Sequence, residues 1–252
     1  MEGYSHVFNK SIEKFKGVTD LESLFSSFRS QRDIYGFTEN MDFPPDEEAV
    51  RLAKQINLPL YNDYVKLLDG RKAVGYTGSS SNYASYNNLD SRHIMMSVFL
   101  FTRLPESVST IVEIGGGYGN WVFLNRNQPF TSWTTIDLPH VSELQKWYLR
   151  ETHTDTSRWK VVSAYDYSEC MKPVDLIIGA HSLSELSFSL FYEYFQKVLL
   201  HTKYFLYCHH VTLPSPGLLS AKQDIIASHF SLIDSFVSER GQVLNCLYVR
   251  TA

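Results

Sequence analysis

The sequence has few cysteines, no long apolar run and no excess of charge. Its three cysteines, Cys170, Cys208 and Cys246, lie far apart and form no C-x-x-C pair, which argues against a disulfide framework or a zinc ribbon. No stretch reaches the roughly 18 apolar residues that a membrane-spanning helix needs. The first residues, MEGYSHVFNK, contain no apolar signal segment. We therefore expect a soluble cytoplasmic protein.

The charge balance argues against a broad electrostatic attraction to polyanions. The 252 residues carry a net charge of −4 with a pI near 6.1, so we expect neither nucleic acid nor a membrane as the partner. Nine histidines are present, but no H-E-x-x-H or paired-ligand spacing occurs, and we expect no structural metal site. A divalent ion that assists a diol substrate stays open, because such sites are assembled from scattered carboxylates. A hydrophobic content of 44% is sufficient for a large core.

Two regions of the chain differ in pattern. Helical apolar spacing occurs over 11–30 and 46–68, and a polar stretch rich in Ser, Asn and Tyr follows at 75–93 and is typical of a long loop. We divide the chain into an N-terminal helical and loop cap at 1–89, expected on the substrate side, and a core at 90–252. A helix capped by Asp90 or Ser91 is predicted to begin the core.

The core region alternates short apolar runs with helical segments. Strands are predicted at TIVEI, WTTID, KVVSAY, VDLIIGA and YFLYCHH, and strands separated by helices form βαβ units with a parallel sheet. A final helix is followed by strands at 230–237 and 242–250, which predict a hairpin with one antiparallel edge strand. The pattern indicates an α/β, Rossmann-like fold with a seven-stranded, mostly parallel sheet and an N-terminal helical extension.

A glycine-rich loop follows the first predicted strand, where open α/β sheets bind their ligands. A dinucleotide fingerprint beginning at Gly115 fails because Asn120 stands where a small residue is required. A P-loop fails because the segment lacks a lysine. What remains is an acid followed by glycines at alternate positions, Glu113-x-Gly115-x-Gly117-x-Gly119.

This pattern resembles motif I of the class I S-adenosylmethionine (SAM)-dependent methyltransferases. The resemblance implies that fold, SAM as the cofactor and S-adenosylhomocysteine (SAH) as its product. It places Asp137 on the ribose hydroxyls, since a carboxylate accepts two hydrogen bonds from a diol, Asp166 on the adenine amino group, and Glu113 toward the cationic amino end. The cofactor-binding residues that it implies are Glu113, Gly115, Gly117, Asp137, Leu138, Tyr165, Asp166 and Ala180.

Two further segments are similar to O-methyltransferases. TTIDLPHVSELQKWYL resembles their second-strand segment, and DLIIGAHSLSEL resembles the sugar O-methyltransferase family, in which an S-x-S-E-L/M element follows the fourth strand. Positions 184–186 match that element, whereas His181 and the pair His209-His210 stand where that family often has asparagine-containing segments. The resemblance covers about residues 90–250 and implies methyl transfer to a hydroxyl of a sugar or glycan.

Histidines at strand ends are the candidate catalytic residues. A hydroxyl nucleophile has to lose its proton, and histidine is the side chain that titrates near neutral pH. We expect His181 as the base, with Glu185 orienting it from one helical turn further on. His210 is the second candidate base, and at most one of His209 and His210 reaches the site because adjacent strand residues point to opposite faces.

The polar-aromatic stretch before the core is suited to a hydroxylated acceptor, with rings for a sugar face and amides for hydroxyls. A solvated loop is the alternative for this stretch. The predicted substrate-binding residues are Tyr83, Asn87, Arg92, His93 and His209.

Two other functions stay open. One is O-methylation of a phenolic or polyketide-like molecule in an apolar pocket lined by Met95, Met96 and Phe99. The other is a non-catalytic interaction module with the SAM-binding fold. The expected partner is a small-molecule or glycan substrate, with a homodimer left open.

Overall fold

The computed structural model describes residues 20–26, 28–30, 43–69, 71, 74–75, 86–211, 216–238 and 242–251. Much of the helix predicted over 11–30 lies outside these residues. So does most of the polar stretch at 75–93, including Tyr83. Within the described ranges, no helix is long and apolar enough to cross a membrane.

The first part of the chain is helical. It comprises α1 (Leu21–Ser26), a 3-10 turn (Phe28–Ser30), α2 (Glu47–Asp69) and α3 (Asn88–Arg103). Asp46 caps α2, because its Oδ1 accepts hydrogen bonds from the backbone amides of Glu48 and Ala49 at 3.0 and 3.2 Å. The sequence thus placed the start of α2 within one residue.

Helix α3 begins earlier than predicted, and Asn87 is its N-cap rather than Asp90 or Ser91. Asn87 Oδ1 accepts from the Asp90 amide at 2.9 Å, and Asp90 Oδ2 accepts from the Asn87 amide at 3.2 Å. This reciprocal capping box satisfies two backbone donors that the first helical turn otherwise leaves unpaired.

The rest of the chain alternates strands and helices and ends in a hairpin. Its elements are β1 (Thr110–Ile114), α4 (Asn120–Asn125), β2 (Ser132–Asp137), α5 (Pro139–Glu151), β3 (Trp159–Ser163), β4 (Val174–Ala180), α6 (Ser182–Glu185), α7 (Phe188–Lys197), β5 (Thr202–His210), α8 (Pro216–Ala227), β6 (Phe230–Ser238) and β7 (Val243–Arg250). All seven predicted strands are present.

The seven strands form one sheet in the order β3-β2-β1-β4-β5-β7-β6. Strands β1 to β5 pair in parallel, whereas β7 is antiparallel to both β5 and β6. The predicted fold class is confirmed. The antiparallel strand lies one position in from the edge, because the chain runs first to the edge as β6 and then returns as β7.

Helices cover both faces of the sheet. Strand residues alternate between the faces, so Ile111 of β1 joins the core that contains residues of α2 to α5, and Val112 and Ile114 join the core that contains residues of α7 and α8. Parallel strands have their carboxyl ends at one edge of the sheet. The segments that follow β1, β2, β4 and β5 therefore meet there.

A buried ion pair joins residue 71 to the start of the core. Arg71 binds the Asp90 carboxylate with two nitrogens, at 2.8 and 2.5 Å, and neither side chain is exposed. Asn120 at the start of α4 donates to the same carboxylate at 3.1 Å. One carboxylate therefore connects the segment after α2, the first turn of α3 and the first turn of α4.

We expect Asp90→Ala to lower the free energy of unfolding by about 3–5 kcal/mol, because it leaves the buried Arg71 charge uncompensated and removes half of the capping box. Urea titration followed by circular dichroism measures the change. Asp63→Ala is the matched control, since its ion pair with Lys66 is exposed and contributes about 1 kcal/mol or less. Equal effects of the two variants would contradict this account.

Candidate functional site

The loop between β1 and α4 has an unusual backbone. Gly115, Gly117 and Gly119 have φ angles of +80°, +56° and +91°, in the left-handed region that side chains disfavour. Gly119 is also the N-cap of α4. Only glycine adopts this succession of conformations without strain, so the alternate spacing in the sequence reflects the path of the loop.

Gly115 also lets a second segment approach. A Cβ atom at this position would lie 2.4 Å from the Cβ of Ser182, which no packing tolerates. Ser182 follows β4, and its hydroxyl donates to the carbonyl of Ile114. The turn after β4 therefore contacts the glycine loop directly, a packing role that the sequence did not predict.

Below Gly116 lies a group of buried polar side chains that we call the sub-loop cluster: Glu113, Trp133, Thr135, Asp137 and Gln145. A Cβ on Gly116 would stand 3.0 Å from Thr135 Cγ2, 3.2 Å from Gln145 Nε2 and 3.4 Å from Glu113 Oε2. The loop thus lies close against the cluster, and a Cβ at position 116 would require these side chains to shift by a few tenths of an ångström. Sequence reasoning missed Gln145, a polar residue on the buried face of α5.

The predicted role of Glu113 needs correction. Alternation along β1 turns its side chain toward α5, where it is buried and accepts a hydrogen bond from Trp133 Nε1 at 2.9 Å. Burial raises the pKa of this carboxyl to about 8, with a further increase from Asp137, although the Trp133 hydrogen bond lowers it. Glu113 therefore supports the loop from below and does not face an open site.

Asp137 lies at the carboxyl end of β2, against the glycine loop. Its Oδ2 accepts from Gln145 Nε2 at 2.9 Å and its Oδ1 from the Leu138 amide at 2.8 Å. Burial raises its pKa to about 7, against the opposing effect of the amides of Leu138, Gly117 and Gly116. The side chain of Leu138, which the sequence predicts among the cofactor-binding residues, is buried in the core, and its amide donates to Asp137.

The segment after β3 is open to solvent. Tyr165 is 60% exposed and Asp166 is also exposed. Asp166 Oδ1 accepts from the hydroxyl of Ser168 at 2.9 Å, which leaves Oδ2 available to a ligand. Ala180, the last residue of β4, is half-buried. An exposed aromatic ring and an accepting carboxylate oxygen are groups that contact the face and the polar edge of a flat ligand.

His181 follows β4 in a constrained position. It has φ +65° and ψ −43°, and its amide donates to the carbonyl of Cys208 at 3.0 Å. Its ring centroid lies 5.0 Å from that of His210, at the end of β5. Burial lowers the pKa of His181 to about 3, with smaller contributions from His210, His93, Arg92 and His209. The imidazole is therefore neutral at physiological pH.

Glu185 does not orient His181 as predicted. His181 Nδ1 is buried and has no hydrogen-bond partner in the described part of the chain. The reason is that His181 precedes the four-residue helix α6 as its N-cap in a left-handed conformation, so the side-chain geometry of positions four apart in a helix does not apply. Glu185 instead acts electrostatically on Lys222, whose pKa burial lowers to about 8 and Glu185 raises.

Two adjacent residues of α8 hold the segments that carry the histidines. Lys222 is buried, and its Nζ donates to the carbonyls of Leu183, Ser184 and Leu186 at 3.1, 2.9 and 2.6 Å. Gln223 Nε2 donates to Nε2 of His209 at 3.2 Å. The turn after β4 and the end of β5 are thus supported by the same helix.

The predicted substrate role of His209 is corrected. His209 is buried, and its Nδ1 donates to the carbonyl of His210 at 3.3 Å. With Gln223 on its other nitrogen, its ring is fully engaged within the chain. It supports the backbone of His210 rather than facing a ligand.

Two other predicted substrate residues are structural. Asn87 is fully buried as the cap of α3. His93 stacks on Trp121, with ring centroids 5.8 Å apart, and its Nδ1 accepts from Asn120 at 3.1 Å. Burial lowers the pKa of His93 to about 4, although Asp90 raises it. Arg92 is half-buried and pairs with Asp46 at 3.4 Å.

The side chains expected to line an apolar acceptor pocket are core residues in the described part of the chain. Met95, Met96 and Phe99 are buried in the main core, because they lie on the face of α3 that packs inward. Among the described residues, no three His, Cys, Asp or Glu side chains are grouped as metal ligands would be.

Comparisons with known proteins bear on the fold. No family model matches this chain, and no curated protein matches it, so the resemblance to the sugar O-methyltransferase family is not confirmed. Among solved structures, a Thermoplasma acidophilum protein is 10% identical with a TM-score of 0.51, covering 77% of this chain and 98% of that one.

Two Pyrococcus horikoshii proteins are similar to the same extent. A candidate RNA methyltransferase is 12% identical with a TM-score of 0.50, covering 76% of this chain and 96% of that one. The other is 12% identical with a TM-score of 0.50, covering 69% and 100%. At these identities the likeness concerns the fold alone, and that fold is the Rossmann-like fold of the class I methyltransferases.

We expect Glu113→Gln to change the pH dependence of stability. The folded chain keeps the Glu113 proton up to about pH 8 while the unfolded chain loses it above its ordinary value of 4.5, so the wild-type free energy of unfolding falls as pH rises between these values. Glutamine removes this contribution. The free energy of unfolding of the variant, relative to that of the wild type, should therefore rise from about pH 5 to about pH 8, by at most about 1.4 kcal/mol per pH unit.

Urea titrations at several pH values measure this difference. Glu143→Gln on the exposed side of α5 is the control and should show a difference that stays constant with pH. A constant difference for Glu113→Gln as well would mean that Glu113 is ionised in the folded chain.

Proposed function

We propose that this protein transfers a methyl group from SAM to a hydroxyl. The observation that carries the proposal is the loop of left-handed glycines after β1, with Asp137 against it and His181 and His210 at the ends of β4 and β5 on the same edge of the sheet. On this proposal, the nucleoside site and the neutral base would lie side by side.

The residues at this edge match SAM in their chemistry. Asp137 would accept the ribose hydroxyls, because each oxygen of a carboxylate accepts more than one hydrogen bond. Asp166 would accept the adenine amino group, beside the exposed ring of Tyr165. Gly115 and Gly117 would let the backbone pass close to the nucleoside. The bound cofactor supplies an electrophilic methyl group on a sulfonium.

His181 would take the proton that the acceptor hydroxyl loses. A neutral imidazole has one nitrogen that accepts a proton. The burial that keeps His181 neutral also makes it a weak base, so it would hold the proton only briefly. Lys222 donates three hydrogen bonds to the turn that carries His181 and so fixes the position of that turn. A fixed base would stay aligned with the acceptor hydroxyl, and alignment of the reacting groups accelerates a reaction. His210, half-buried and adjacent, would pass the proton on toward solvent.

We favour a sugar or glycan hydroxyl as the acceptor. The support is the similarity of DLIIGAHSLSEL to the sugar O-methyltransferases, since the residues predicted from the polar stretch are largely structural. The phenolic alternative loses its support because Met95, Met96 and Phe99 are core residues. A net charge of −4 argues against an RNA acceptor held by its phosphates.

We expect SAM to bind in the micromolar range in isothermal titration calorimetry. Asp137→Asn should weaken binding at least about tenfold, because it removes the charged acceptor for the ribose diol. Asp155→Ala, an exposed acid in the loop before β3, is the control and should bind as the wild type does. Absence of heat with the wild-type protein would show that the cofactor assignment is wrong.

We expect a labelled-methyl transfer screen against nucleotide sugars, free glycosides and phenols to identify a hydroxylated sugar. With that acceptor, His181→Ala should lower turnover by about 10²–10⁴-fold, the usual contribution of a general base, and leave SAM affinity unchanged. His201→Ala, exposed at the start of β5, is the control. Full activity of His181→Ala would exclude it as the base and direct attention to His210.

A further inference from the structure

All hydrogen-bonding groups of the Gln145 side-chain amide have partners at or beside the glycine loop. This fully buried residue of α5 donates from Nε2 to the carbonyl of Gly117 at 2.8 Å and to Asp137 Oδ2 at 2.9 Å. Its Oε1 accepts from the hydroxyl of Thr135 at 2.8 Å. An amide has two N–H donors and a carbonyl acceptor, and each has a partner here.

The Gln145 amide adds a side-chain link between the middle of the loop and Asp137, which also receives backbone hydrogen bonds from Gly116 and Gly117. The Gly115 amide donates to the carbonyl of Ile136 at 2.9 Å, and the Gly119 amide donates to the carbonyl of Gly116 at 3.1 Å. The carbonyl of Gly117, in the middle of the loop, is bound by Gln145. Since Gly116 has no side chain, the loop lies directly on the amide, within reach of Nε2.

Other side chains of this size do not satisfy the same three partners. Leucine would leave the Gly117 carbonyl, Asp137 Oδ2 and the Thr135 hydroxyl without their present partner, at a cost for each buried group. An ionised glutamate would have no donor and would repel Asp137. Only a donor-acceptor group suits a position between a carbonyl, a carboxylate and a hydroxyl.

We propose that Gln145 is a positioning residue of the cofactor site, which sets the distance between the glycine loop and Asp137. It does not face the cofactor itself, and it acts through Gly117 and Asp137. The inference rests on the proposed function, because those two residues are the ones assigned to SAM. Thr135 is the second member of this arrangement, since its hydroxyl orients the amide.

The test compares Gln145→Leu with the wild type by calorimetric titration with SAM and with SAH. We expect affinity for both to fall about tenfold or more, which corresponds to the loss of one or two well-placed hydrogen bonds. Ser142→Ala is the matched control, a buried polar residue one turn earlier on α5 whose hydroxyl bonds only to the carbonyl of Leu138. Its affinity should stay within about twofold of the wild type.

Two further measurements separate positioning from a general loss of stability. Relative to the wild type at the same pH, Gln145→Glu should lose less SAM affinity at about pH 5, where a protonated carboxyl donates one hydrogen bond, than at about pH 8, where it donates none. Amide hydrogen exchange over residues 115–119 in the SAM-free protein should be faster in Gln145→Leu than in Ser142→Ala. If Gln145→Leu does not fold, Thr135→Val replaces it, with an expected loss of about threefold.

The outcomes are distinguishable. If the wild type binds SAM and Gln145→Leu binds it equally well, the positioning role is overturned while the proposed function stands. The same holds if Ser142→Ala and Gln145→Leu lose affinity equally. If the wild type binds neither SAM nor SAH, the proposed function fails, and hydrogen exchange alone then decides whether Gln145 holds the loop.

Discussion

Position 115 has to be free of a side chain because Ser182 occupies the space that a Cβ would need, whereas a Cβ at position 116 would require its neighbours to shift by a few tenths of an ångström. Ser182, in the turn after β4, packs against position 115 of the loop, and Thr135 and Gln145 pack against position 116. Interiors are packed too densely to absorb an extra carbon at 2.4 Å. The close contact of three strand ends at one edge of the sheet, and hence the candidate site, depends on this constraint.

Buried polar groups surround that edge, and each is either paired or neutral. Arg71 and Asp90 neutralise one another in two hydrogen bonds, whereas His181 and His93 have lowered pKa values and stay uncharged. The Glu113 carboxyl has a raised pKa for the same reason, since burial disfavours charge. The site thus combines low local charge with backbone N–H donors. Such a site suits a cofactor that itself carries charged groups.

The positions of the strands could be predicted from local sequence, whereas the partners of the side chains at the strand ends could not. The strands, the sheet class and the strand-end positions of Asp137, His181 and His210 follow from apolar periodicity, which local sequence encodes. The partners of those side chains do not. Glu185 was assigned to His181 by helical spacing, but the left-handed backbone at His181 removed that geometry. Asn87 was read as a ligand for hydroxyls because capping and binding use the same amide chemistry.

The sequence by itself determined the order of the elements, the edge at which the acids, glycines and histidines gather, and the glycine spacing of the loop. Only the tertiary structure decided which of these groups face inward. Gln145 lies 28 residues after Gly117 and Lys222 lies 38 residues after Ser184, and each meets its partner through the packing of its helix on the sheet. Side-chain direction depends on strand alternation and helix docking together, and docking is set by contacts that no local pattern records.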